Sequence, residues 1–212
     1  MLARPGYRRE LVSFATLPCA TALIEGAVVS ILAKLHFNVT DVQFATIIAA
    51  PMFANITSGL WAKLLRGRPK AAMLALIQGA LMLLIASIAL LPTNEAGAAA
   101  LVAIIVAARC LVAGMLNVRS VIWRANYRRD QRAQVTGRFT VMMALLLAVV
   151  PLAAYFPLNE KPELFRLLYP IGAAVGVVSV VAVAKLRARR EQSLLDFERQ
   201  QHAEPFPQQD PA

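Results

Sequence analysis

The sequence predicts an all-α membrane protein, a bundle of six transmembrane helices, and three observations predict it. Apolar residues make up 58% of the chain, its mean hydropathy is +0.59, and only 16% of its residues are charged, against roughly 25% in ordinary soluble domains. The apolar residues are gathered into blocks of about twenty, each long enough to cross the roughly 30 Å hydrocarbon core as an α-helix. The segments between blocks alternate between strongly basic and nearly neutral, as short loops on opposite sides of a membrane do.

In chain order, residues 1–10 carry Arg4, Arg8 and Arg9 and read as a cytoplasmic N-terminus. The first block, 11–33, is longer than a signal-peptide core and lacks a small-residue cleavage site before a polar domain, so it reads as a retained helix. The second block, 42–62, holds Asn55, Thr57 and Ser58 among its apolar residues, and the third is 71–92. The fourth, 97–118, is followed by the longest loop, Arg119 to Arg138, and then by a short fifth block, 139–157. The sixth, 165–184, closes a transmembrane domain spanning 11–184. Residues 185–212 are first charged and helix-permissive, then rich in Pro and Gln, and read as a cytoplasmic, linker-like tail with a disordered end.

Loop charge orients this count. The N-terminus, the segment with Lys63, Arg66, Arg68 and Lys70, the long loop and the tail hold every basic residue except Lys34, Arg109, Lys161 and Arg166. By the positive-inside rule these segments are cytoplasmic, which gives a multi-pass protein of the cell membrane with both termini inside. The same rule accounts for the formal charge of +10 and the pI near 10.4, so no nucleic-acid partner is expected despite the basic balance.

Within the spans, Pro18, Pro51 and Pro151 each remove a backbone donor and are expected to kink or locally open their helices. Gly172 and Gly176 form a G-x-x-x-G in the sixth span, which permits close helix approach, either within the bundle or between copies. Cys19 and Cys110 lie inside apolar blocks without metal-ligand spacing and read as packing residues.

Two charges sit deep in apolar spans, Glu25 in the first and Arg109 in the fourth. Each costs at least about 2.5–3.5 kcal/mol on insertion scales and therefore needs water or a partner. With each span centred on its block, their axial offset is roughly 7–8 Å at about 1.5 Å per residue, a gap that two long side chains bridge if their helices are neighbours. One reading is a substrate-binding or proton-coupling site, with Arg109 as a fixed positive charge and Glu25 as a titratable carboxylate. The other is an ion pair that holds two helices in register. Thr21 lies one turn before Glu25, and Ala113 one turn after Arg109, on the same helix faces. Asn55 and Gln78 add polar groups that either line a cavity or hydrogen-bond between helices.

Catalytic constellations are missing from the sequence. His36 and His202 are the only histidines, and neither a G-x-S-x-G nor a G-x-x-x-x-G-K-[ST] element occurs. No enzyme activity, cofactor or metal site is expected.

This arrangement resembles the amino-terminal six-helix half of a major facilitator superfamily transporter, a fold of two six-helix halves with inverted three-helix repeats in each. The family's signature after its second helix runs approximately G-x-x-x-D-R-x-G-R-R/K. Gly59, Gly67 and Arg68 match it in place, with one extra residue between the glycines and no acidic residue. The run from Arg109 to Gly114 resembles the family's fourth-helix arginine and the small residues after it.

The resemblance implies a secondary active transporter, or a half-transporter subunit, moving a small solute by alternating access and coupled to protons. It implies substrate or proton binding at Glu25, Arg109, Thr21 and Asn55, with the first and fourth helices adjacent, and a cytoplasmic gating loop at Gly59, Gly67 and Arg68. Since such transporters have about twelve spans, it also implies association with a second copy or a separate six-helix half. The competing expectation is a noncatalytic scaffold or accessory subunit, or an inactive truncated fragment. The partners expected in either case begin with the lipid bilayer.

Overall fold

The computed structural model describes residues 5–186 and, beyond them, Gln192, Leu195, Asp196 and Glu198. Every regular element among these residues is helical. The first span is broken: α1 (Pro5–Thr21) runs into a 3-10 turn (Ala22–Ile24), α2 (Gly26–Ile31) and a π turn (Leu32–His36). There follow α3 (Asp41–Ile56), α4 (Ser58–Leu64), α5 (Lys70–Ser87), α6 (Glu95–Asn126), α7 (Arg129–Glu160) and α8 (Phe165–Ala184).

Five helical stretches are long and apolar enough to cross a membrane, beginning with Gly6–His36, and α3 with α4 makes a sixth when the pair, bent by 44°, is taken as one span. The chain is thus a helical membrane bundle of five to six spans. Local signals set several helix starts. Thr40 opens α3 with a capping box, its hydroxyl accepting from Gln43 N while Gln43 Oε1 accepts from Thr40 N at 2.9 Å. Asn94 Oδ1 accepts from Gly97 N at 2.9 Å to start α6.

Two expectations require correction. The basic stretch from Arg119 to Arg138 is not a long loop, because α6 continues to Asn126 and α7 begins at Arg129, leaving Tyr127 and Arg128 as the connection. Arginine is a good helix former, and beyond the buried Arg119 the long side chains from Arg124 onward carry charge away from the apolar level, so the charges mark depth and not a helix end. The expected fifth block, 139–157, is accordingly the apolar middle of a 32-residue helix. The helix breaks fall elsewhere than at the prolines. Helix continues through Pro18, Pro51 and Pro151, and the interruptions fall roughly two turns past the first two, at Glu25 and Thr57.

Taking α1–α2 and α3–α4 as single spans, the helices form a row of neighbours: α3–α4, α6, α5, α8, α1–α2, α7. In span numbers the row reads two, four, three, six, one, five. Small residues allow the tightest approaches. A Cβ at Gly172 would overlap Leu23, and one at Gly176 would overlap Met82 and press on Ala20, so the G-x-x-x-G serves contacts inside the bundle. The core follows this row, with Leu23, Ile24, Leu74, Leu81, Ile85, Leu101 and Ile105 fully buried. The lone helix at the end of the row, α7, exposes a stripe of Val141, Leu145, Val149, Leu152 and Phe156.

The two ends of the bundle are distinct. At one, Arg9 donates to the Lys185 carbonyl and Trp123 Nε1 to Glu10 at 3.0 Å. At the other, the rings of His36 and Phe37 meet Phe165 at 4.8 and 5.6 Å, and Lys34 pairs with Asp41 at 2.7 Å.

Candidate functional site

The site begins with a backbone break. Glu25 is extended (φ −123°, ψ 148°) and Gly26 is left-handed (φ +56°), a pair of conformations that no helix contains. The i to i+4 ladder stops there, and carbonyls upstream lose their partners. Side chains from two other helices supply replacements: Tyr169 Oη of α8 donates to the Leu23 carbonyl at 2.8 Å, and Arg109 Nη2 of α6 donates to the Ile24 carbonyl at 3.1 Å. The same guanidinium pairs through Nη1 with Glu25 Oε1. Its Nε is buried without a hydrogen-bond partner among the described residues. The side chains of Glu25 and Arg109 keep 29% and 14% exposure, so the pair faces a space and is not sealed in the core.

That space is a cavity of about 270 Å³. Thr21, Glu25, Asn55 and Arg109 all line it, with Ala113 beside them. The rest of its wall is apolar and includes Phe14, Leu17, Val112, Leu116 and Leu147. The lining comes from spans one, two, four and five, while three and six stand behind. The structure therefore brings together the four polar residues singled out from sequence. Gln78 does not join them. It is fully buried, donates to Met115 Sδ at 3.5 Å and accepts from Ser179 Oγ at 3.1 Å.

The expected gating residues lie apart from this cavity. Gly59 sits on α4 with open space where a Cβ would stand. Gly67 makes the turn into α5 with φ +67°, and Arg68 is exposed. The acidic group that this turn lacks in sequence arrives from far along the chain: Glu198 Oε2 accepts from Gly67 N at 2.6 Å and from Lys70 Nζ at 2.8 Å.

A second buried polar cluster joins Glu10, in the expected N-terminus, to Arg119, at the start of the expected long loop. Both side chains are buried within apolar spans, so Glu25 and Arg109 are joined there by a second pair of ionisable groups. Arg119 Nη2 donates to Ser13 Oγ at 2.7 Å, and its guanidinium lies 4.2 Å from the Phe14 ring centre. Ser13 Oγ meets Ser179 Oγ at 2.6 Å, which extends the chain of contacts to Gln78. A usable signal was present: Glu10, Ser13, Leu17 and Thr21 recur at helical spacing on one face of α1 and lead to Glu25.

No protein-family model, curated protein or solved structure matches the chain.

Proposed function

We propose that this chain is a secondary active transporter of the major facilitator type, or a half-transporter subunit, moving a small solute by alternating access. The observation that carries the reading is the single cavity in which Thr21, Glu25, Asn55 and Arg109 converge at a broken helix. Broken helices at polar cavities are a recurring way for transporters to present backbone and charge to a solute.

The order of neighbours adds support. Exchanging spans one, two and three with four, five and six turns the row two-four-three-six-one-five into itself read backwards, as a three-plus-three repeat requires. In this reading Glu25 is the coupling group. Ionised, it holds Arg109 against the break in the first span. A proton on Glu25 neutralises its carboxylate, leaves the positive charge of Arg109 uncompensated by it, and frees the guanidinium for an anionic group of the solute or for movement of α6. The cavity is completed by a second copy or a separate six-helix half, a homodimer having the required two-fold symmetry, and the basic ends of the bundle face the cytoplasm.

A second reading, a noncatalytic scaffold or accessory subunit, is favoured by the bonds of Arg109 and Tyr169 to main-chain carbonyls, which would serve stability alone. Uptake of a panel of radiolabelled solutes into liposomes holding the purified protein, with and without an imposed proton gradient, separates the two. The transporter reading expects uptake of at least one solute, abolished by Glu25→Gln and by Arg109→Ala. Absence of uptake under every gradient favours the scaffold.

A further inference from the structure

A second concavity lies outside the central cavity. A groove of about 620 Å³ runs between α4 and α6, lined by Thr57, Leu60, Trp61, Leu64 and Cys110, with Lys63, Arg66 and Arg68 also on its wall. Its volume falls within the roughly 300–1,000 Å³ of ligand sites. Trp61 forms a fixed part of the wall, because its indole lies flat against α6 where Gly114 has no Cβ: one built there would stand 2.6 Å from the ring. Leu60 and Leu64 are 67% and 49% exposed, as are their neighbours Ile56 and Met52 on α3, at 78% and 72%. In a bundle whose helices are long and apolar enough to cross a membrane, this side opens to hydrocarbon.

The cations divide into two kinds. Lys70 is buried and bound to the Leu65 carbonyl and to Glu198. The side chains of Lys63, Arg66 and Arg68 are exposed and have no hydrogen-bond or ion-pair partner among the described residues. Three positive charges without an ion-pair partner among the described residues therefore crown one end of an apolar slot whose far end is Thr57 and Cys110. From Thr57 to Arg66 the slot extends about 13 Å at roughly 1.5 Å per residue, a length that suits an acyl chain lying below a headgroup. Basic sites at the edge of membrane helices bind anionic lipid headgroups by charge and hydrogen bonds.

We propose that the groove between α4 and α6 is a binding site for an anionic phospholipid, its headgroup held by Lys63, Arg66 and Arg68 and one acyl chain lying against Leu60, Trp61, Leu64 and Cys110. The site is separate from the central cavity and does not depend on transport.

Trp61 is its reporter. The full chain is reconstituted in phosphatidylcholine vesicles containing a small fixed fraction of chain-brominated phosphatidylglycerol or chain-brominated phosphatidylcholine, and the Trp61 signal is isolated by comparison with Trp61→Phe. The expected result is quenching at least about threefold stronger with the brominated anionic lipid, reduced to the level of the neutral lipid in Lys63→Gln/Arg66→Gln/Arg68→Gln. These three positions are exposed, so the triple variant retains its packing. Native mass spectrometry of wild type and the triple variant gives a second readout without altering Trp61, with retained phosphatidylglycerol expected on the former only. Equal quenching by the two lipids overturns the proposal. So does a headgroup preference that survives the triple substitution, or tighter binding of a water-soluble aryl sulfonate than of the lipid, which would assign the groove to a soluble anion.

Discussion

Arg109 divides its donors between the Glu25 carboxylate and the Ile24 carbonyl, and Tyr169 caps the preceding carbonyl from the other side. The two residues share a structural task, but only Arg109 lines the cavity. Their substitutions should therefore separate. Tyr169→Phe leaves one buried carbonyl without its donor and is expected to lower stability by about 1 kcal/mol while leaving solute affinity unchanged. Arg109→Ala leaves both a carboxylate and a carbonyl exposed to the cavity and is expected to cost about 1–3 kcal/mol and abolish uptake. Thermal unfolding in detergent, paired with liposome uptake, checks both. Glu25 and Arg109 were legible in the sequence because a charge inside an apolar block has few explanations. Glu10 and Arg119 were not, since at a block's edge the same residue types read as topology signals. The role of Tyr169 was hidden for a different reason: the carbonyl it serves is free only because the helix breaks.

At the scale of elements, the break at Glu25 is written in one residue. Gly26 has a left-handed backbone and no atom within 4 Å of where its Cβ would stand, so its value lies in conformation and not in space. Gly26→Ala is expected to cost about 1–2 kcal/mol from backbone strain alone. Gly59→Ala, in open space on α4, is expected to be neutral or to stabilise by up to about 1 kcal/mol. Equal effects in thermal melts would show that the left-handed turn is not what holds the break. The six apolar blocks were readable because each must match the bilayer's thickness. The break was not, because a glycine before an apolar run, such as Gly26, is also compatible with continuous membrane helix. Helix length was likewise underread where arginines continue α6 and α7 beyond the apolar level.

For the molecule as a whole, the row of spans places one, two, four and five around the cavity and three and six behind it. Hydropathy carries no information about that order, because every apolar helix is an acceptable neighbour for every other. The family resemblance implies adjacent first and fourth spans, but in the row they are separated by three and six, and they meet through long side chains, Arg109 with Glu25, Arg119 with Ser13 and Trp123 with Glu10. The transporter reading requires the exposed stripe on α7 from Val141 to Phe156 to meet lipid or a second half, and the cavity to open by turns to either side of the membrane. Asn55→Cys, in a chain with Cys19→Ala and Cys110→Ala, tests this directly. A membrane-impermeant methanethiosulfonate reagent is applied to intact cells and, separately, to inside-out vesicles. Alternating access predicts labelling of Asn55→Cys from both faces, and labelling from one face only, or from neither, would contradict it.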